Sequence, residues 1–159
     1  MFHKFNAKEI FEMAETIEKN GYEFYRKAAN DAKDPEIKQF LLELAEMEVG
    51  HEKMFLSLKS KLSGKEKEEV VFDPYEETEA YLEALANTRV FFEKKINTKS
   101  AEDVFKAAIE AEKDSIIFYL GIRDMVPEEL GKDKVEKIIK EEMKHVQIIS
   151  NQLLKLKNK

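Results

Sequence analysis

A Glu-x-x-His pattern occurs twice in this chain, at Glu48-Val49-Gly50-His51 and at Glu142-Met143-Lys144-His145, and both residues of the second copy lie 94 positions after those of the first. Residues three apart share one face of an α-helix, so each carboxylate and imidazole can converge on one point. Sliding the chain on itself by the same 94 positions sets Glu18-Lys19 on Glu112-Lys113 and Phe24-Tyr25 on Phe118-Tyr119. The chain reads as two similar halves, each a helix with one Glu followed by a helix with Glu-x-x-His. Four carboxylates and two imidazoles on four helices form the ligand set of a two-metal bundle.

The rest of the chain agrees with helices. Its 159 residues suffice for one ordinary domain with a buried core. With 5 Gly, 3 Pro, 43% hydrophobic and 38% charged residues, and no sustained polar/apolar alternation, an all-α fold is expected. The 33 acidic and 27 basic residues leave a net charge of −6, with no dense basic patch to neutralise phosphates, so nucleic acid is not an expected partner. Small cations suit this balance better. There is no cysteine, which excludes disulfides, thiolate metal sites and a thiol nucleophile and leaves oxygen and nitrogen to hold any metal. The segment Met1-Phe2-His3-Lys4-Phe5-Asn6 has no long apolar run, and no stretch approaches the roughly 20 apolar residues that cross a bilayer. A soluble cytoplasmic protein without a membrane partner is the expectation.

In order, a first helix is expected over about 7–29, with Ile10, Phe11, Ala14, Ile17, Phe24, Tyr25 and Ala28 at helical spacing and Glu18 within the apolar stripe. Gly21 in that stripe costs about 1 kcal/mol relative to Ala unless a close approach compensates. Its counterpart Ser115 is also small. Asp34 before Pro35 suits an N-cap and first helical position, opening a second helix over about 35–62 in which Glu48 and His51 continue the stripe of Leu41, Leu44, Phe55 and Leu58. The residues from Ser63 read as a solvated connection, followed by the run Val70-Val71-Phe72 and a short helix around Tyr75 to Leu85. A crossover over about 63–100 returns the chain to a third helix, expected over about 101–125 behind a capping-box-like Ser100. Glu128 to Gly131 makes a turn, and the fourth helix is expected over about 133–156. Two helical hairpins joined by a long crossover make a four-helix bundle. Met47, Met54, Met125 and Met143 read as core filler, and His3 as a solvent histidine.

The alternative to a site is accident. Acidic residues are a fifth of the chain, so both His having one three positions earlier happens about one time in twenty on composition alone. The common offset, the seven-residue Glu-to-Tyr spacing in both halves and the placement on apolar stripes lower that to roughly one in a hundred. Burying four carboxylates without a cation would also cost several kcal/mol per unpaired ion. The six candidate ligands are Glu18, Glu48, His51, Glu112, Glu142 and His145. Helix geometry assigns Glu48 and Glu142 as bridges, Glu18 and Glu112 as terminal ligands, and one imidazole to each metal. Tyr25 and Tyr119 lie two turns beyond Glu18 and Glu112 on the same face, so their hydroxyls either bond a carboxylate across the bundle or belong to amphipathic core tyrosines. Carboxylate oxygens with two imidazoles suit iron or manganese, whereas zinc more often takes a closed four-coordinate site. Two adjacent ferrous ions can together supply the two electrons that O–O cleavage needs.

Ile17-Glu18-Lys19-Asn20-Gly21-Tyr22-Glu23-Phe24-Tyr25, Glu48-Val49-Gly50-His51, Ala111-Glu112-Lys113 and Glu142-Met143-Lys144-His145 together resemble the ferritin-like domain of the rubrerythrin family, over nearly the whole chain. The resemblance implies a ferritin-like four-helix bundle with two iron ions cycling between Fe2+ and Fe3+. It also implies reduction of hydrogen peroxide to water, protection against oxidative stress, and a homodimer. The sequence departs from the family in two places. Many members carry a C-terminal rubredoxin-like iron centre held by four cysteines, absent here, so electrons are expected from an external donor such as a rubredoxin. Typical members have an additional Glu where this chain has Ser115, which leads toward a more symmetric site similar to that of bacterioferritin. Rival expectations are a ferroxidase or iron-binding protein using O2, a non-catalytic helical module, and a manganese catalase-like activity. The repeat and long crossover would also permit exchange of a hairpin between chains.

Overall fold

In the computed structural model, which describes residues 5–68, 77, 80–82, 84 and 97–159, local sequence signals start each long helix. Asn6 caps α1 (Ala7–Asp31) through a reciprocal capping box: its side chain accepts from the Glu9 amide at 2.9 Å, and the Glu9 carboxylate accepts from the Asn6 amide at 3.0 Å. Asp34 caps α2 (Pro35–Ser60), accepting from the Glu36 and Ile37 amides, with Pro35 in the first turn. Ser100 caps α4 (Ala101–Arg123) by accepting from the Asp103 amide. Before α5 (Lys132–Lys157) comes a 3-10 turn, Glu128–Leu130, and then Gly131 at φ +111°. Glycine is required there twice over: the backbone is left-handed, and a Cβ would stand 2.4 Å from Leu58 Cδ2.

The observed ends differ slightly from the expected ones. α1 continues two residues further, α2 and α4 stop two residues earlier, and α5 starts one residue earlier. One element was not expected: α3 (Gly64–Glu68) forms a short helix where a solvated connection was anticipated. Its signal was present, since the Ser63 hydroxyl accepts from the Glu66 amide while the Glu66 carboxylate accepts from the Ser63 amide, the S-x-x-E capping pattern. Within the expected crossover helix, Glu77, Ala80, Tyr81, Leu82 and Ala84 are helical and Leu82 is fully buried. The remainder of that segment, the Val70-Val71-Phe72 run and His3 lie outside the described residues. Thr98 donates to the Asp31 carboxylate, joining the last part of the crossover to the end of α1.

α1 packs against α2 and α4 against α5, giving two helical hairpins, with further contacts of α1 to α4 and of α2 to α5. The apolar core falls into two clusters. One contains Phe11, Ile17, Phe55, Phe118, Ile122 and Ile138; the other contains Ala28, Leu41, Leu44, Phe105, Ala108 and Ile149. Along every long helix the candidate ligands come between the two: Glu18 between Ile17 and Tyr25, Glu48 and His51 between Ala45 and Phe55, Glu112 between Ala108 and Phe118, Glu142 and His145 between Ile139 and Ile149. The polar layer sits between two oily caps. Of the methionines read as filler, Met125 is buried and Met54 packs on the first cluster, but Met47 and Met143 are 41% and 49% exposed. Each adjoins a buried ligand in sequence, and one residue along a helix is a rotation of about 100°, enough to leave the inward face.

Candidate metal centre

The helices deliver all six candidate ligands to one buried layer. Glu18, Glu112 and Glu142 are fully buried, and Glu48, His51 and His145 nearly so. Their atoms form two overlapping groups, Glu18–Glu48–His51–Glu142 and Glu48–Glu112–Glu142–His145, in each of which one ligand atom per residue lies within 4.8 Å of the others. Glu48 and Glu142 belong to both groups. Glu18 with His51, and Glu112 with His145, belong to one each. Membership of both groups or of one divides the residues along the same line as the expected bridging and terminal roles.

Both imidazoles turn Nδ1 inward. His51 Nδ1 lies 2.9 Å from Glu142 Oε1 and 3.4 Å from Glu18 Oε2. His145 Nδ1 lies 3.0 Å from Glu142 Oε2, 3.3 Å from Glu48 Oε1 and 3.4 Å from Glu112 Oε1. The rings stack with centroids 5.5 Å apart and planes within 17°. From the far side, Tyr25 Oη donates to Glu112 Oε1 and Tyr119 Oη to Glu18 Oε1, each at 2.5 Å. Each tyrosine thus bonds the terminal carboxylate of the other half, the first of the two roles open to it.

Charge decides what such a layer wants. Each of the four carboxylates keeps one buried oxygen without a hydrogen-bond partner, as does His145 Nδ1. An unsatisfied buried polar atom costs about 1–3 kcal/mol, more when charged, so these lone pairs call for cations. Four carboxylates balance two divalent ions, and the oxygen-rich set with two imidazoles suits iron. The donor set therefore fits a pair of metals.

The proton affinities reflect the same crowding. Burial and the charges of the neighbouring carboxylates push the Glu48 and Glu142 carboxyls well above the usual range. At Glu112 burial acts in the same direction, but the neighbouring Glu142 and His145 side chains and the hydrogen bond from Tyr25 overcome it and hold the carboxyl low. Burial alone would depress both imidazoles. The close Glu18 carboxylate, with Glu48 and Glu141, instead pushes His51 up to about 9, and Glu112, Glu142 and Glu48 raise His145 as well. Protons and metal ions thus compete for the same atoms. Tyr25 and Tyr119 are raised by burial and then by the charges around them, Glu112 first for Tyr25 and Glu18 first for Tyr119. They stay protonated and donate.

Two small residues complete the layer. A Cβ on Gly21 would stand 2.8 Å from Glu48 Oε2, which is the close approach that justifies glycine inside α1. Ser115 is buried, and its hydroxyl donates to the Ala111 carbonyl at 3.0 Å, so its proton is committed to its own helix. One participant escaped the sequence reading: Glu141 Oε2 lies 2.7 Å from His51 Nε2. Its counterpart 94 residues earlier is Met47, so a repeat search is blind to it. A cleft of roughly 560 Å³ opens over the outer edges of His51 and His145, lined by Glu141, Met47, Met54 and Lys144 among others.

The model of the rubrerythrin family matches residues 9–153. Among solved structures, the crystal structure of a ferritin-like diiron-carboxylate protein from Thermotoga maritima is similar at a TM-score of 0.68, with 24% identity over 96% of this chain and 97% of that one. At that identity the likeness establishes the fold, a ferritin-like helical bundle. No protein of curated function matches the sequence.

Proposed function

This chain belongs to the rubrerythrin family, and on that premise we propose that it is a di-iron oxidoreductase that reduces hydrogen peroxide to water. The observation that supports it most is the pair of ligand groups sharing Glu48 and Glu142, since two metals held by common carboxylates can act in one two-electron event. Iron held there would supply the two electrons that cleavage of the O–O bond requires. Glu18 and His51 would hold one ion, Glu112 and His145 the other, and Glu48 and Glu142 would serve both. Tyr25 and Tyr119 fix the orientation of the terminal carboxylates and remain protonated beside them. The cleft over the imidazole edges admits a molecule the size of peroxide or water. In balance, H2O2, two electrons and two protons give two waters. The electrons come from outside these 159 residues, which contain no cysteine, from a donor such as a rubredoxin. On this reading the protein acts in the cytoplasm as a homodimer in defence against oxidative stress, and manganese is the alternative metal.

A second reading, a ferroxidase that oxidises Fe(II) with O2, is favoured by one observation. Ser115 contributes a hydroxyl bound to its own helix where typical members carry a fifth carboxylate, leaving the ligand set symmetric. A stopped-flow race separates the two. Apoprotein loaded anaerobically with two Fe(II) per chain is mixed with H2O2 or with O2, and ferric absorbance is followed. Much faster oxidation by H2O2, with turnover on adding a reductant, is the expected result; faster oxidation by O2 would hand the site to iron handling.

A further inference from the structure

His51 offers its two nitrogens to two different carboxylates. Nδ1 faces the ligand layer, 2.9 Å from Glu142 Oε1, while Nε2 faces the cleft, 2.7 Å from Glu141 Oε2. With Nδ1 turned to the metal position, the ring proton is carried on Nε2 and donated to Glu141. The other oxygen of Glu141 lies 4.0 Å from Lys137 Nζ, one turn earlier on the same helix. Among the described residues the repeat gives His145 no equivalent carboxylate. The position related to Glu141 by the repeat is Met47, whose thioether is at best a weak acceptor and which borders the same cleft.

We propose that Glu141 is a positioning residue that makes the two metal positions unequal: by accepting the Nε2–H bond of His51 it fixes the ring's tautomer and orientation and strengthens Nδ1 as a donor. The Glu18–His51 position then holds a divalent ion more tightly than the Glu112–His145 position. The inference rests on the two-metal reading above. It gives the asymmetry a place, at positions 47 and 141 rather than in the ligands themselves. A carboxylate partner behind a ligating histidine is typically worth 10–100-fold in metal affinity.

Co(II) is the probe that tests it, titrated anaerobically into apoprotein and followed by calorimetry and by its visible ligand-field bands. Native protein is expected to fill in two steps, the first about 10–100-fold tighter than the second. Glu141→Met weakens the first step by that factor and brings the two together. Met47→Glu tightens the second step. The double variant, which exchanges the two residues, separates the steps again with the preference moved to the His145 side. Both positions are partly exposed, so the fold should survive, and circular dichroism checks that it has. If native protein binds two Co(II) ions but Glu141→Met and Met47→Glu leave both steps unmoved, the role of Glu141 is wrong while the two-metal reading stands. If native protein does not bind two ions, both are overturned.

Discussion

The two hairpins carry the same candidate ligands in different surroundings. Across the centre the exchange is even, Tyr25 bonding Glu112 and Tyr119 bonding Glu18 at the same 2.5 Å. One layer out, the halves part company. Glu48 has glycine, Gly21, pressed against its carboxylate, whereas the corresponding position of the second half is Ser115, hydrogen-bonded to its own helix. His51 is backed by Glu141, and the matching position is Met47. The six candidate ligands and the two tyrosines that bond them are matched between the halves. The divergence is confined to positions 21 and 115 and positions 47 and 141, and there one half can be tuned against the other.

The comparison breaks most completely at the shared carboxylates. Glu48→Gln or Glu142→Gln removes a charge common to both ligand groups and should reduce iron from two per chain to none by elemental analysis. Glu18→Gln or Glu112→Gln touches one group and should leave one. A single metal lost from every variant would deny the bridging roles.

Next in size is the response of metal-free protein to pH. In the buried layer Glu48, Glu142, His51 and His145 bind protons more strongly folded than unfolded, while Glu112 runs in the other direction. The folded state therefore holds more protons from about pH 4.5 upward, and stability falls as pH rises. The His51 contribution is fully present below its unfolded value of 6.5 and is lost as pH passes about 9. Urea denaturation of apoprotein at pH 5, 7 and 9 should give a declining series. Metal-loaded protein should run the opposite way, because metal binding strengthens as the ligands lose protons.

The tyrosines sharpen the symmetry. Tyr25→Phe and Tyr119→Phe each strip a buried carboxylate of its donor and should cost about 1.5–3 kcal/mol in urea denaturation, with the two values close to each other. A large inequality would mean that only one half of the exchange matters.

The smallest effects come from Gly21 and Ser115. Gly21→Ala gains up to about 1 kcal/mol of helix propensity while its Cβ pushes the Glu48 carboxylate aside. Apoprotein should melt no lower, yet metal should bind roughly tenfold more weakly. Ser115→Ala, losing one bond to its own helix, should alter neither by more than about 0.5 kcal/mol. Thermal melts with and without Co(II) distinguish the pair.

The four long helices and the six side chains of the buried polar layer were legible in the chain because each signal is local or repeats. Asn6, Asp34 and Ser100 cap by reaching two or three residues along the backbone, and Glu-x-x-His chelates within one turn. The Ser63–Glu66 capping pair was equally local and was passed over amid lysines and glutamates that read as solvated. Met47 and Met143 show the limit of apolar spacing, since a residue beside a buried one can face solvent.

By itself, then, the sequence determined a two-fold helical plan with one Glu and one Glu-x-x-His in each half, because periodicity and repetition are written in residue order. Only the tertiary structure decided which half's tyrosine bonds which carboxylate, that Glu48 rests against Gly21, and that Glu141 backs His51. These contacts join residues 27 to 101 positions apart, and their partners are set by how helices lie against one another, a packing outcome that no local pattern encodes.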